Sequence, residues 1–128
     1  MKTIIAITLA GIIIGGAIFF ANKGHGQVAA PNANNVSIVD GTQIVEIGAK
    51  GGYSPQASVA KADIPTILRM QTRGSFDCSS ALTIPSLGYR ANLPPSGTTD
   101  IPMPPQKSGT ILQGHCAMGM YSFEVRFE

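Results

Sequence analysis

Short segments with alternating apolar and polar residues follow one another along most of the chain. The clearest is residues 121–128, YSFEVRFE, where every second residue is apolar, the pattern of a β-strand with one buried face. Similar shorter segments are separated by turns rich in glycine and proline at intervals of about ten residues. They are residues 43–49, 57–62, 66–72, 81–84, 89–93, 98–103 and 110–113. About seven or eight short strands, with no helical period after Ala21, predict an all-β Greek-key β-sandwich.

Two of these segments allow a more specific prediction. In residues 66–72, the face with Leu68 and Met70 is expected to point inward, because the opposite face is charged. The prolines around residues 98–103 exclude a central position in a sheet, because proline cannot donate a backbone hydrogen bond. Met70 is therefore predicted to lie in the core, and Met103 is predicted to lie at the surface.

The N-terminal segment is apolar enough to enter a membrane. No residue between Lys2 and Lys23 is charged, and this run has about the 20 residues that cross a bilayer as a helix. Residues 1–22 are therefore predicted to form a signal anchor or a signal peptide, with one transmembrane or signal helix. Phe19 lies where cleavage after Ala21 requires a small residue, which favours an uncleaved anchor.

The amino-acid composition of the chain changes after this segment. Residues 23–40 are small, polar and rich in Gly, Pro and Asn, so they are predicted to be a flexible linker. Residues 41–128 then form the folded domain. Because an N-terminal apolar segment directs export, the domain is expected outside the cytoplasm, periplasmic or extracellular. It would be anchored to the membrane, or secreted if the signal is cleaved.

The composition agrees with a single β-rich domain. Of the 128 residues, 44% are hydrophobic and only 12% are charged, and the 15 glycines and 9 prolines favour short strands over long helices. The net charge of +2 comes from scattered Lys and Arg, without a basic run. Nucleic acid is therefore not expected as a partner.

The segment before the last predicted strand contains the most distinctive chemistry. It holds His115, Cys116, Met118 and Met120, and soft sulfur donors suit Cu(I) before any hard cation. In an extended chain the three sulfur-containing residues would lie nearly 7 Å apart in turn, too far to share one ion. Gly119 permits a bend that would bring Cys116 and one methionine together.

Another ligand would have to come from elsewhere in the chain, and Cys78 is the only other thiol. Catalysis is not expected. His115 is next to Cys116, and neighbours in an extended chain face opposite ways, so they do not form a nucleophile with its general base.

Several segments between residues 43 and 128 resemble a known family. The matching segments are Gly52-Tyr53-Ser54-Pro55, Asp77-Cys78-Ser79, Pro85-Ser86-Leu87-Gly88-Tyr89-Arg90 and Cys116-Ala117-Met118-Gly119-Met120-Tyr121. In these features the chain resembles the cupredoxin superfamily, and in detail its small membrane-tethered cupredoxin-like domains with a terminal Cys-x-Met-Gly-Met motif. The motif before the last strand is the most specific of the four.

The resemblance implies a metal site at one pole of a Greek-key sandwich. It places Cys78 where blue-copper members have a histidine, Cys116 at the copper-binding cysteine, and Met120 or Met118 at the methionine. Blue-copper sites use two histidines, but no histidine follows Cys116. The implied site is therefore one for Cu(I), with two thiolates, one thioether and His115 as an optional fourth donor. The implied role is copper handling or delivery, with a copper transporter or another copper protein as partner.

Two alternatives remain open from the residues. Cys78 and Cys116 can form a disulfide in a metal-free structural or interaction module, which would stabilise the fold by roughly 3 to 4 kcal/mol. The disulfide and the metal can also alternate, with oxidation releasing the metal. The other alternative is a copper electron-transfer protein, which would require an intense visible band.

Overall fold

A computed structural model describes residues 33–128 of the chain. This part of the chain forms ten strands and two 3-10 helices of three residues each. The strands are β1 Val36–Val39, β2 Thr42–Ala49, β3 Tyr53–Ser54, β4 Ala57–Ala60, β5 Thr66–Thr72, β6 Ala81–Ile84, β7 Tyr89–Asn92, β8 Gly97–Met103, β9 Ile111–Cys116 and β10 Ser122–Phe127. The 3-10 helices are Cys78–Ser80 and Pro85–Leu87.

The strands form two five-stranded sheets. In the first sheet the order is β1-β2-β5-β8, and β3 pairs with the end of β2; in the second it is β4-β10-β9-β6-β7. The pairs β2–β5 and β4–β10 are parallel, and the other pairs are antiparallel. For residues 33–128, the prediction of an all-β fold is therefore confirmed as a mostly β structure with two sheets.

The core lies between the sheets because alternate residues of each strand point inward. In β5, Leu68 and Met70 are fully buried, as predicted from the charged opposite face. The inner faces of the other strands supply the rest of the core, including Val45, Ile47, Leu82, Ile84, Leu112, Val125 and Phe127. The prediction for Met103 is wrong: only 6% of it is exposed. It shares the inner face of β8 with Ile101, while Pro102 between them points outward.

Two strands arise where the sequence shows no strand pattern. β1 lies within the range predicted as a linker, and it pairs with β2 from Val36 opposite Val45 to Val39 opposite Thr42. Three of its four residues are exposed, so it has no alternating pattern to detect. β3 has only two residues and lies in a predicted turn. β8 lies at the edge of its sheet, as Pro102 within it requires.

The predicted N-terminal helix at residues 1–22 and most of the predicted linker lie outside the described residues. None of the helices between residue 33 and the C-terminus has the length and apolarity needed to cross a membrane.

Three loops meet at one end of the two sheets, which we call the cysteine pole. They are the turn of residues 50–52, the segment of residues 73–80 and the hairpin loop of residues 117–121 between β9 and β10. The amide of Gly51 donates a hydrogen bond to the Asp77 carboxylate, which joins the first two loops. A Cβ atom on Gly52 would lie 3.5 Å from the Tyr121 ring, which joins the first and third.

Candidate metal centre at the cysteine pole

The two cysteines meet at this pole and form a disulfide. Cys78 is the first residue of a 3-10 helix, and Cys116 is the last residue of β9. Their Cα atoms are 5.6 Å apart, although the residues are 38 positions apart in sequence. The fold therefore brings together the two thiols that the sequence analysis singled out.

Asp77 holds the loop that carries Cys78. It is the N-cap of the 3-10 helix and accepts a 2.9 Å hydrogen bond from the Ser79 amide. The Ser79 hydroxyl and the Gly51 amide also donate to the Asp77 carboxylate. These bonds, chiefly the one from the Ser79 hydroxyl, lower the pKa of Asp77 below its ordinary value. Because the carboxylate is engaged in these bonds, its main role is to fix the position of Cys78.

Tyr53 supports the same loop from the core. Its hydroxyl donates a 3.0 Å hydrogen bond to the Ser79 carbonyl, and its ring meets the Phe123 ring edge to face at 5.0 Å. Burial, together with the nearby charge of Asp77, raises the pKa of Tyr53 to about 12. The phenol therefore stays neutral and remains a hydrogen-bond donor at physiological pH.

Cys116 is held by backbone hydrogen bonds on both sides. It is fully buried and lies on the inner face of β9. Its amide donates to the Tyr121 carbonyl at 3.0 Å, and its carbonyl accepts from the Gly119 amide at 2.8 Å. The next residue, Ala117, donates to the Ala81 carbonyl of β6 at 2.8 Å. Gly119 has φ of +71°, so the predicted bend is present at this residue.

The two methionines lie on this hairpin loop and face solvent. Met118 is 77% exposed and Met120 is 62% exposed. Phe76, on the segment that carries Cys78, is 84% exposed. Half of the six large exposed apolar side chains in the described residues therefore lie on the two segments that the disulfide joins.

His115 is not brought to the cysteine sulfurs. Gly114 and Cys116 are buried on the inner face of β9, so His115 between them lies on the outer face of the sheet. Its Nδ1 atom is 2.9 Å from the Cys116 carbonyl oxygen, and it lines an open groove with Gln113 and Glu124. Among the residues from 33 onward, His, Cys, Asp and Glu side chains form no group of three or more that could hold a metal ion.

Sequence reasoning missed some residues that build this pole. Asp77 followed two positions later by Ser79 is a recognisable capping pattern, because an aspartate side chain readily accepts from the amide two residues on. The role of Tyr53 had no such signal, because it depends on packing between distant strands. The same holds for Gly114, which pairs with Phe123 across β9 and β10.

Comparison with solved structures shows that the fold is one found in copper-binding domains. One is the metal-binding domain of the Cu(I)-exporting P-type ATPase CopA of Streptococcus pneumoniae D39, solved with Cu(I). It is 21% identical over 73% of this chain and 92% of that one, with a TM-score of 0.63. Another is a copper-binding protein solved in the apo form, 22% identical over 76% of this chain and 98% of that one, with a TM-score of 0.67. The sequence matches no protein-family model and no curated protein.

Proposed function

We propose that the domain binds a soft metal ion, with Cu(I) preferred, for copper handling or delivery. In the reduced protein the ligands are the thiolates of Cys78 and Cys116 and the thioether of Met120 or Met118. The observation that carries this proposal is the meeting of the two cysteines at the base of the methionine-bearing loop. Thiolate and thioether sulfurs form the donor set that Cu(I) prefers.

The two solved structures described above support the proposal through their fold. Both share the fold of this chain and both are described as copper-binding, one of them with Cu(I) present. Their sequence identity is low, so the argument for this chain rests on its own sulfur atoms. His115 is left out of the proposed donor set, because its ring lies on the outer face of β9 and Cys116 points inward.

The location of the domain and the nature of its partner are part of the same proposal. We infer a cupredoxin-like, non-enzymatic domain, tethered outside the cytoplasm by the N-terminal segment. Its proposed partner is a copper transporter or another copper protein that receives or supplies the ion. The exposed positions of Met118 and Met120 support such a transfer, because a partner can reach them without opening the sandwich.

A purely structural module is the second candidate. The observation that favours it is the disulfide itself, which closes a long loop and needs no metal to stabilise the fold. In that case the thiols would have no function when reduced, and the exposed methionines would have no role in metal binding.

A competition titration separates these candidates. The reduced full-length chain is titrated with Cu(I) in the presence of a chromogenic Cu(I) chelator, beside Cys78→Ser and Cys116→Ser. We expect one tightly bound ion, with affinity lowered more than about 100-fold in each serine variant, because each removes a direct ligand.

The methionines are tested in the same assay against a matched control. Met120→Leu or Met118→Leu should weaken binding by about 10-fold, because leucine has similar size and no sulfur donor. Met103→Leu is the control, because this methionine is buried on β8 away from the cysteines. Reduced protein that leaves all the Cu(I) with the chelator would refute the proposed function.

A further inference from the structure

We propose that the disulfide is a lock on the metal site, opened by a low-molecular-weight thiol that attacks the sulfur of Cys78 and not that of Cys116. This inference rests on the proposed function, since it concerns access to the same two ligands. A sulfur atom within a disulfide has no thiolate charge and is a poor metal ligand. The structure therefore holds the site in its closed form, and reduction is required before the two sulfurs can bind Cu(I) together.

The two sulfurs differ in access. Cys116 has no exposed surface and lies in β9 between β6 and β10. Cys78 is partly exposed and lies in a loop that ends in a single 3-10 turn. Thiol–disulfide exchange requires the attacking thiolate to reach a sulfur, so the rate depends on access. An external thiolate can approach Cys78 from solvent, whereas an approach to Cys116 would have to pass through the core.

Anchoring of the backbone adds to this difference. Cys116 is held by hydrogen bonds to Tyr121 and Gly119, and it pairs with Leu82 of β6. Exposing its sulfur would break the ends of two strands. The loop around Cys78 is held by the Asp77 cap, by the Tyr53 hydroxyl and by hydrogen bonds from Ser75 to Ala49 and Pro95. Cys78 itself pairs with no strand, so exposing its sulfur disturbs strand pairing less than exposing that of Cys116.

The exchange proceeds in two balanced steps. The thiolate RS⁻ forms a bond to the sulfur of Cys78 as the bond between the two cysteine sulfurs breaks, and Cys116 leaves as a thiolate. A second RS⁻ then attacks the R sulfur of the mixed disulfide, which releases RSSR and the thiolate of Cys78. Two electrons pass from the external thiol to the protein. The thiolate of Cys116 is then available to bind Cu(I).

The site of attack can be mapped without any metal. The full-length chain, purified without reductant, is exposed briefly to reduced glutathione, quenched with acid and alkylated, and the adducts are located by peptide mapping. We expect the glutathione adduct on Cys78 to exceed that on Cys116 by at least about 10-fold, because access controls the exchange rate. Comparable adducts on both cysteines would overturn the proposal. It would also be overturned if the two thiols stayed free after treatment with a mild oxidant, because the disulfide would then not form.

Single-thiol variants give a second measure of access. In Cys116→Ser the remaining Cys78 thiol should react with an aromatic disulfide reagent at least about 10-fold faster than the Cys116 thiol does in Cys78→Ser. In denaturant the two rates should become similar, which controls for intrinsic reactivity. A faster reaction at Cys116 in the folded variants would contradict the assignment.

Copper binding distinguishes failure of the lock from failure of the proposed function. The oxidised full-length chain should bind Cu(I) at least about 100-fold more weakly than the reduced chain, because both thiolate ligands are lost. Equal binding by the two forms would overturn the lock and leave a metal site that does not use the cysteines. A reduced chain without Cu(I) affinity would instead refute the proposed function, whatever the site of thiol attack.

Discussion

Gly114 is the position at which one added methyl group should disturb the cysteine pole most. It pairs with Phe123 across β9 and β10, and the Phe123 ring lies directly over it. A Cβ atom on Gly114 would lie 2.3 Å from Cζ and 2.4 Å from Cε1 of that ring. Real Cβ contacts essentially never reach such distances, so the ring has to move.

The cost follows from the surroundings of the ring. Phe123 is 3% exposed and meets Tyr53 edge to face, so displacing the ring disturbs this packing. Overpacking of a core costs about 1 to 3 kcal/mol, and partial loss of an aromatic pair adds about 0.5 to 1.5 kcal/mol. The lower flexibility of unfolded alanine chains offsets about 0.4 to 1 kcal/mol. Gly114→Ala should therefore destabilise the protein by about 2 kcal/mol and lower Tm by about 10 °C.

Denaturant unfolding and a thermal scan of the full-length chain measure this effect, and Gly48→Ala is the matched control. Gly48 also lies within a strand, but a Cβ atom there would be 3.6 Å from the nearest atom, the Ser54 carbonyl oxygen. Its change should stay within about 0.5 kcal/mol. In the Gly114→Ala background, Phe123→Leu should restore space, so the double variant should be more stable than the sum of the single effects by about 1 kcal/mol. Equal stability of Gly114→Ala and Gly48→Ala, or additive effects in the double variant, would refute the reasoning.

Two further predictions concern the disulfide and Tyr53. Replacing Cys78 and Cys116 together by alanine opens a loop of 38 residues and should lower the free energy of unfolding by about 4 kcal/mol. In denaturant unfolding, the free energy of unfolding of this double variant should match that of the reduced wild-type protein within about 1 kcal/mol. A double variant as stable as the oxidised wild-type protein would contradict the disulfide. Tyr53→Phe leaves the Ser79 carbonyl without its buried donor and should cost about 1 to 2 kcal/mol. Folding raises the pKa of Tyr53 to about 12, so the folded state favours the neutral phenol. The stability that this preference contributes is fully present below pH 10 and is lost as the pH rises through 12. An ultraviolet titration in which Tyr53→Phe removes no component near pH 12 would contradict this assignment.

The strands that could be predicted from the sequence are those whose two faces differ. β5 and β10 alternate strictly between buried and less buried residues, so their period is visible without any knowledge of neighbours. β1 could not be predicted, because most of its residues are exposed and its existence depends on the partner strand β2. The burial of Met103 could not be predicted, because the sequence does not show which face of a proline-rich edge strand is covered.

In the candidate site, too, a feature set by a single residue could be predicted, whereas a feature set by distant segments could not. The bend at Gly119 could be predicted, because it depends on one residue and its φ angle. The sequence also singled out Cys78 and Cys116. Their approach depends on β6 pairing with β9, which brings Leu82 opposite Cys116. Such registers are set by packing between distant segments, so the sequence left disulfide and metal open as alternatives.

The exposure of Met118 and Met120 is the feature that a purely structural account explains least well. Burying a methionine side chain stabilises a protein by about 1.5 to 3 kcal/mol, and a loop without a binding role has no need for two exposed ones. The loop is held in place by the bonds from Cys116 to Tyr121 and from Gly119 to Cys116, so their exposure is a property of an ordered turn. A disulfide alone would require only the cysteines. The exposed thioethers on the loop that follows Cys116 are therefore the strongest reason to test reduced protein for Cu(I).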